Sequence, residues 1–250
     1  NNPVPENIDL EEDIMTDHRI VSQQEWLSAR RELLAKEKEF TEMRDALSQS
    51  RRDLPWVKIT KDYSFETPQG RQSLGDLFGG KSQLVVYHFM FAPDWESGCK
   101  SCSFWADHFN GLAPHLAARD VTMTAISRAP LAKLQGFAKR LGWSFPWVSS
   151  GDGDFNYDFN VSFHPEDLAA SSGVYNYRPL KMQMTDLPGI SVFFKDKDGA
   201  IYHTYSTYGR GIELVNATYQ CLDMVPKGRD EEGLPHAMSW VRYNDQYGAA

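Results

Sequence analysis

The run QLVVYHFMF, residues 83–91, narrows the architecture more than any other stretch, because its side chains are almost all apolar and leave no polar face for water. A strand of that kind belongs inside a sheet covered on both faces. VTMTAIS, residues 121–127, is a second such strand, and it follows a helix-like segment. Pro130 to Leu141 reads as the next helix and FPWVSS as a short strand. Strands alternating with helices imply a parallel element in an α/β sheet. Later, ISVFFKD and AIYHTYS flank Lys197, Asp198 and Gly199 as a hairpin, so the sheet is expected to be mixed, with helices on its flanks.

Ahead of this core, Ser22 and Glu25 stand at capping-box spacing and open a helical pattern that runs until Pro55. Trp26, Leu27, Leu33, Leu34, Phe40 and Met43 give that helix a patchy apolar face, to be covered by its own core or by a second subunit. YSFETPQGRQSLGDLFGG reads as short strands about the Gln69-Gly70 turn and a small helix ending near Gly79 and Gly80. Residues 151–187 are aromatic, polar and not readily assigned, and an insertion of that length beside a compact sheet suggests a lid. Arg210 to Asp223 reads as a closing helix. The expected organisation is a helical arm over residues 1–55, a core domain over 56–225 carrying the insertion, and a tail over 226–250 anchored by Trp240 and Tyr243.

The net charge of −8 argues against a general affinity for nucleic-acid phosphates. No run has the length of a membrane span, and NNPVPENIDLEED lacks both the charged opening and the apolar stretch of a secretory signal, so a cytoplasmic location is the expectation. The three cysteines, Cys99, Cys102 and Cys221, do not make a disulfide framework. In a reducing compartment the close pair points to redox chemistry or metal.

Cys102, Trp105, Phe109, Leu112 and Leu116 recur at helical spacing, which sets the pair at a helix N-terminus with Cys99 outermost. Unpaired N–H groups there favour a Cys99 thiolate, and Lys100 adds positive charge. Cys99 is then the attacking nucleophile and Cys102 the thiol that resolves a mixed disulfide. Burial of both as small hydrophobes is the bland alternative, disfavoured by the polar setting of Ser97, Gly98, Lys100 and Ser101. Structural zinc needs four ligands, and only the single Cys-x-x-Cys is present, with His88, His108, His115, His164 and His203 available if the fold gathers them. No metal and no bound cofactor is therefore expected. Cys221 is expected to pack in the closing helix. The aromatic groups Tyr202, His203, Tyr205 and Tyr208, and Phe155, Tyr157 and Phe159, are read as cleft lining or as core.

A buried strand leading into Cys-x-x-Cys at a helix N-terminus resembles the thioredoxin fold. DLPGISVFF sets Pro188 just ahead of the late strand, where that superfamily carries a cis-proline beside its cysteines. ETPQGRQSLGDLFGGKSQLVVYHF looks like the opening of its peroxiredoxin-like members. MFAPDWESGCKSCSFWADHFNG, DFNYDFNVSF, LPGISVFFKDKDG, HTYSTYGRG and PKGRDEEGLPHAMSWVRYND together are similar to the bacterial family catalogued as domain of unknown function 899, described as thioredoxin-like. The resemblance implies a thiol-disulfide oxidoreductase acting on protein or small-molecule disulfides, with Cys99, Cys102, Pro188 and His88 at its centre. His88 falls where thioredoxin keeps a buried acid, and could take a proton from Cys102; its alternative is a satisfied core histidine. Asp94 and Glu96 are further acceptors or plain loop charges. Trp95, Lys100 and Gly189 are the candidate substrate contacts. The motif here is Cys-Lys-Ser-Cys, with Trp95 four residues before Cys99 rather than adjacent. A thiol peroxidase is the second reading, weakened because Trp95 and Glu96 stand where the peroxiredoxin threonine would be sought. The third is a binding or assembly module, including a homodimer through the N-terminal helix.

Overall fold

A computed structural model describes residues 18–180 and 183–248. The polar opening, residues 1–13, lies outside the described residues, as do Lys181 and Met182 of the insertion. The chain divides into two units between Asp53 and Leu54.

The first unit is the helix α1, Gln23–Arg52. Ser22 and Glu25 close the capping box expected of their spacing: the Glu25 N–H donates to Ser22 Oγ, and the Ser22 N–H donates to the Glu25 carboxylate at 3.0 Å. Arg51 and Arg52 in the last turn suit the negative end of the helix dipole. No residue of α1 is buried, and Trp26, Leu33, Phe40 and Leu47, each seven residues from the next, are 51% to 60% exposed.

The second unit runs β1 (Val57–Lys58), β2 (Ser64–Thr67), β3 (Gly70–Ser73), β4 (Gln83–His88), α2 (Lys100–Ala106), α3 (Ala113–Ala117), β5 (Val121–Ser127), α4 (Leu131–Leu141) and β6 (Trp147–Ser149). It continues with α5 (Phe155–Asp158), α6 (Pro165–Ala170), β7 (Val174–Tyr175), β8 (Arg178–Pro179), β9 (Gly189–Lys195), β10 (Ile201–Tyr208) and α7 (Ala217–Leu222). All strands but β7 and β8 join one mixed sheet in the order β1-β10-β9-β4-β5-β6-β2-β3. β4 runs parallel to β5, with Val86 opposite Thr124, and antiparallel to β9, with Val86 opposite Ser191. A parallel pair bridged by the cysteine helix, followed by an antiparallel hairpin, is the thioredoxin-like arrangement. The extended apolar segment expected over 83–91 ends its ladder at His88, and Phe89 to Ala92 continue as buried chain.

The alternation of side chains along β4 divides the core. Leu84 and Val86 face a cluster with Phe65, Phe155, Phe159 and Phe193. Tyr87 faces the other way, into the cluster that holds Cys102, Trp105, Phe109, Ile212, Val241 and Tyr243.

Two helices are shorter than their periodicity suggests. The pattern from Cys102 to Leu116 breaks at Asp107, because Asn110 is drawn to the β5–β6 side, donating to the Gly142 carbonyl at 2.9 Å and accepting from the Ser144 N–H at 2.8 Å. Pro114 then starts α3 afresh. The closing helix splits into a 3-10 stretch, Gly209–Val215, and α7, since the Asn216 side chain accepts from the Tyr219 N–H at 3.0 Å and caps a new helix. Cys221, expected to pack, is exposed; Tyr219 is the buried member of α7.

The insertion is not one lid. Phe155 and Phe159 pack on the sheet face away from the cysteines, whereas Phe163, Leu180 and Leu187 form a small cluster of their own. Tyr175 donates to the Pro188 carbonyl at 2.7 Å and accepts from the Gly209 N–H at 2.9 Å, which brings the second half of the insertion to the cysteine face. No helix among the described residues is long and apolar enough to cross a membrane.

Candidate active site

The segment that delivers Cys99 is pinned from three sides. The Cys99 N–H donates to the Met90 carbonyl at 3.0 Å, returning the loop to the end of β4. Lys133 of α4 donates to the Pro93 and Trp95 carbonyls at 3.0 and 2.7 Å. Tyr243 of the tail donates to the Gly98 carbonyl at 2.6 Å. Gly98 itself is required, because a Cβ there would lie 2.7 Å from a ring carbon of Phe89.

Cys99 occupies the N-cap of α2, and its sulfur does what an N-cap oxygen does elsewhere: it accepts the Cys102 N–H, at 3.4 Å. The Ser103 hydroxyl donates to the Cys99 carbonyl at 2.9 Å and steadies the turn. Both thiols are free. Cys102 is 2% exposed and Cys99 is half-buried. A hydrogen bond from the Cys102 thiol, aided by backbone N–H groups, lowers the Cys99 thiol to about 7. Burial pushes the Cys102 thiol well above its ordinary range. One sulfur is thus poised as thiolate near neutrality while its neighbour keeps its proton, the division of labour that dithiol exchange requires.

A cavity of about 240 Å³ opens beside Cys102, lined also by Tyr87, Trp105, Pro188, Ile212 and Met238, among others. Larger hollows lie near Lys61 and Asp154 and around Thr67 and Phe145, and neither includes a cysteine. Among the described residues no group of three or more His, Cys, Asp or Glu side chains is placed to hold a metal ion.

The model of the bacterial protein family of unknown function, DUF899, matches residues 15–247. The chain belongs to this family. None of the curated proteins compared matches it. Among solved structures it is similar to peroxidoxin BcpB from Mycobacterium tuberculosis, at 17% identity and a TM-score of 0.45, over 67% of this chain and 97% of that one. It is also similar to a cysteine-to-serine mutant of Xanthomonas campestris peroxiredoxin Q, at 17% identity and a TM-score of 0.43, over 64% and 89% of the two chains. A protein from Chlorobium tepidum assigned as a thiol:disulfide interchange protein, DsbE, matches at 14% identity and a TM-score of 0.41, over 67% and 94%.

Within this family member, Cys102 and Pro188 line the same cavity, but the Leu187–Pro188 bond is trans: no cis peptide occurs among the described residues. The trans form is the ordinary preference of an X-Pro bond, and here the chain reaches the cleft with the Leu187 N–H bonded to the Val161 carbonyl and the Pro188 carbonyl bonded to Tyr175. His88 is a correction. It projects from the face of β4 opposite Tyr87, beside Phe155 and Phe159, so the sheet separates it from the sulfurs. Its Nε2 meets Ser191 Oγ at 2.8 Å, Ser191 meets Ser206 at 2.8 Å, and Ser206 meets His203 at 2.7 Å. Burial lowers the His88 pKa to about 3, so it stays neutral.

Gly189 is a second correction. It is buried under the Tyr208 ring, which a Cβ would strike at 2.7 Å, so its lack of a side chain serves packing rather than substrate contact. Trp95 packs against the edge of the cysteine cluster, and Lys100 is exposed with its Nζ 5.8 Å from the centre of the Tyr243 ring. Asp94 and Glu96 are exposed loop charges. Phe155, Phe159 and His203 line no cleft with the cysteines and belong to the opposite core.

Tyr87, Lys133 and Ile212 escaped sequence reading. Tyr87 was inside an apolar run with nothing to mark which face it takes. Lys133 and Ile212 reach the site from helices distant in sequence, and no local pattern signals that.

Proposed function

We propose that this protein is a thiol-disulfide oxidoreductase in which Cys99 attacks a disulfide and Cys102 resolves the mixed disulfide. The observation that carries this reading is the Cys99 sulfur at the start of α2, accepting the Cys102 N–H with its thiol held near 7, against a buried, protonated Cys102. The cycle moves two electrons from the dithiol to the substrate disulfide and needs no bound cofactor. Its partners are a disulfide-bearing protein or small molecule, and a reducing, cytoplasmic setting suits the free dithiol. Pro188, Tyr87 and Trp105 line the hollow that reaches Cys102, which supports a substrate entering from that side.

A redox titration against dithiothreitol or glutathione buffers, read by alkylation and mass spectrometry, tests this. A reversible two-electron couple joining Cys99 and Cys102, abolished in Cys99→Ser and in Cys102→Ser, is expected. A pair that stays reduced across the titration would remove the reading. Peroxide that converts Cys99 to a sulfenic acid faster than any disulfide reacts would move the assignment to a thiol peroxidase.

For α1, the seven-residue repeat of Trp26, Leu33, Phe40 and Leu47, exposed on a helix of 30 residues, favours pairing with a second copy of the same helix.

A further inference from the structure

The cavity beside Cys102 has walls whose polar groups are mostly engaged, the Ser101 hydroxyl among them being directed to the Cys99 sulfur. Trp105 Nε1 donates to the Ile212 carbonyl at 2.8 Å. The Arg210 guanidinium pairs with Glu213 at 2.9 Å, and the other Glu213 oxygen takes Arg229 at 3.2 Å, so among the described residues the rim offers no lone charge. Tyr87, whose hydroxyl points at the Cys102 carbonyl at 3.5 Å, is fully buried. What remains toward the hollow is the apolar surface of Met90, Trp105, Ile212 and Met238. A volume of about 240 Å³ is below the usual range for a drug-sized ligand and above that of a cavity known to hold benzene. It fits a single short aliphatic chain or one aromatic ring.

We propose that this cavity receives the apolar group of a small disulfide, so that the substrate class is an alkyl or aryl disulfide rather than a polar or highly charged one. The proposal rests on the dithiol reading above. The Cys99 thiolate, its proton lost to water, attacks one substrate sulfur; the substrate S–S bond breaks and the first thiolate leaves and takes up a proton. A bond now joins Cys99 to the remaining half. Cys102 gives up its proton and attacks the Cys99 sulfur, the mixed disulfide breaks, and the second half departs as a thiol. The protein is oxidised to the Cys99–Cys102 disulfide, the substrate is reduced to two thiols, and a dithiol reductant restores the starting state. Burial of the apolar group favours the substrate by the transfer of its methylenes out of water, while a polar group would lose its hydration to walls that are mainly apolar and return few hydrogen bonds.

The full chain, reduced, would be mixed with mixed disulfides of thionitrobenzoate bearing methyl, butyl or hexyl groups, following release of the coloured thiol. The second-order rate constant is expected to rise about tenfold or more from methyl to hexyl. Filling the hollow with Ile212→Trp or, separately, Met238→Trp should bring the hexyl-to-methyl ratio to within about twofold of one, with circular dichroism checking that each variant is folded. A flat series in the wild type, or a ratio that survives filling in a folded variant, overturns the proposal and leaves the dithiol reading intact. If no disulfide reacts at Cys99, the dithiol reading itself fails. A redox-inert probe then decides the cavity alone: in protein labelled with ¹³C-methyl methionine, 1-hexanol should shift the Met90 and Met238 signals and methanol should not. No shift with hexanol overturns the cavity assignment whatever the thiols do.

Discussion

At the scale of single residues, the cysteine pair and His88 carry testable consequences of their surroundings. Alkylation of Cys99 by iodoacetamide should rise about tenfold per pH unit in acid and level off above pH about 7, while Cys102 stays unlabelled in the folded protein. In Cys102→Ala the inflection should move upward, because the thiol that donates to the Cys99 sulfur is the largest cause of its lowering. His88 gives a stability signature. Its pKa is about 3 in the fold against 6.5 in the unfolded chain, so over that window the unfolded state binds the extra proton. Stability contributed by neutral His88 is whole above pH 6.5 and is lost as pH falls toward 3. Urea titrations across that range should show the loss, and His88→Asn should flatten the slope by up to about 1.4 kcal/mol per pH unit. The identities of Cys99 and Cys102 were plain from spacing and composition. The side taken by His88 was not, because in a strand buried on both faces hydrophobicity no longer tells one face from the other.

At the scale of elements, α1 is the case in which local rules suffice. Its capping box and its span follow from short-range hydrogen bonding and propensity, and Ser22→Ala should lower helix stability by about 1 kcal/mol in hydrogen exchange of the first turn. Its seven-residue apolar repeat belongs to the same scale. Sedimentation should find the wild type dimeric and Leu33→Glu/Phe40→Glu monomeric, with a monomeric wild type ending the pairing assignment. The helices α2 and α3 show the opposite situation. Periodicity ran through Asp107 to Leu116, but Asn110 found better partners across the fold at Gly142 and Ser144 than along its own helix. A tertiary hydrogen bond therefore ended an element that propensity would have extended.

At the scale of the molecule, the second unit is fastened where the insertion returns to β9. Arg128, following β5, makes paired hydrogen bonds to Asp186 at 2.9 and 2.5 Å, and Ser162 donates to the same carboxylate at 2.8 Å. The side chains of Arg128 and Asp186 are 12% and 4% exposed. Removing one partner strands a largely buried charge, so Asp186→Ala should cost about 3–5 kcal/mol in urea unfolding. Arg128 and Asp186 are far apart in sequence, and nothing local marks them as a pair. By itself the sequence determined the α/β class, the order of the central strands and helices outside residues 151–187, the cap of α1, and the cysteine pair at a helix start, since these depend on periodicity, turn residues and neighbours within a few positions. Only the tertiary structure decided that Tyr87 rather than His88 faces the sulfurs, that Gly189 is covered by Tyr208, that Pro188 meets the cleft through a trans bond, and that Tyr243 holds Gly98. Those outcomes depend on strand register and on long-range packing, which place side chains by the contacts available across the whole core and leave no trace in any short window of the chain.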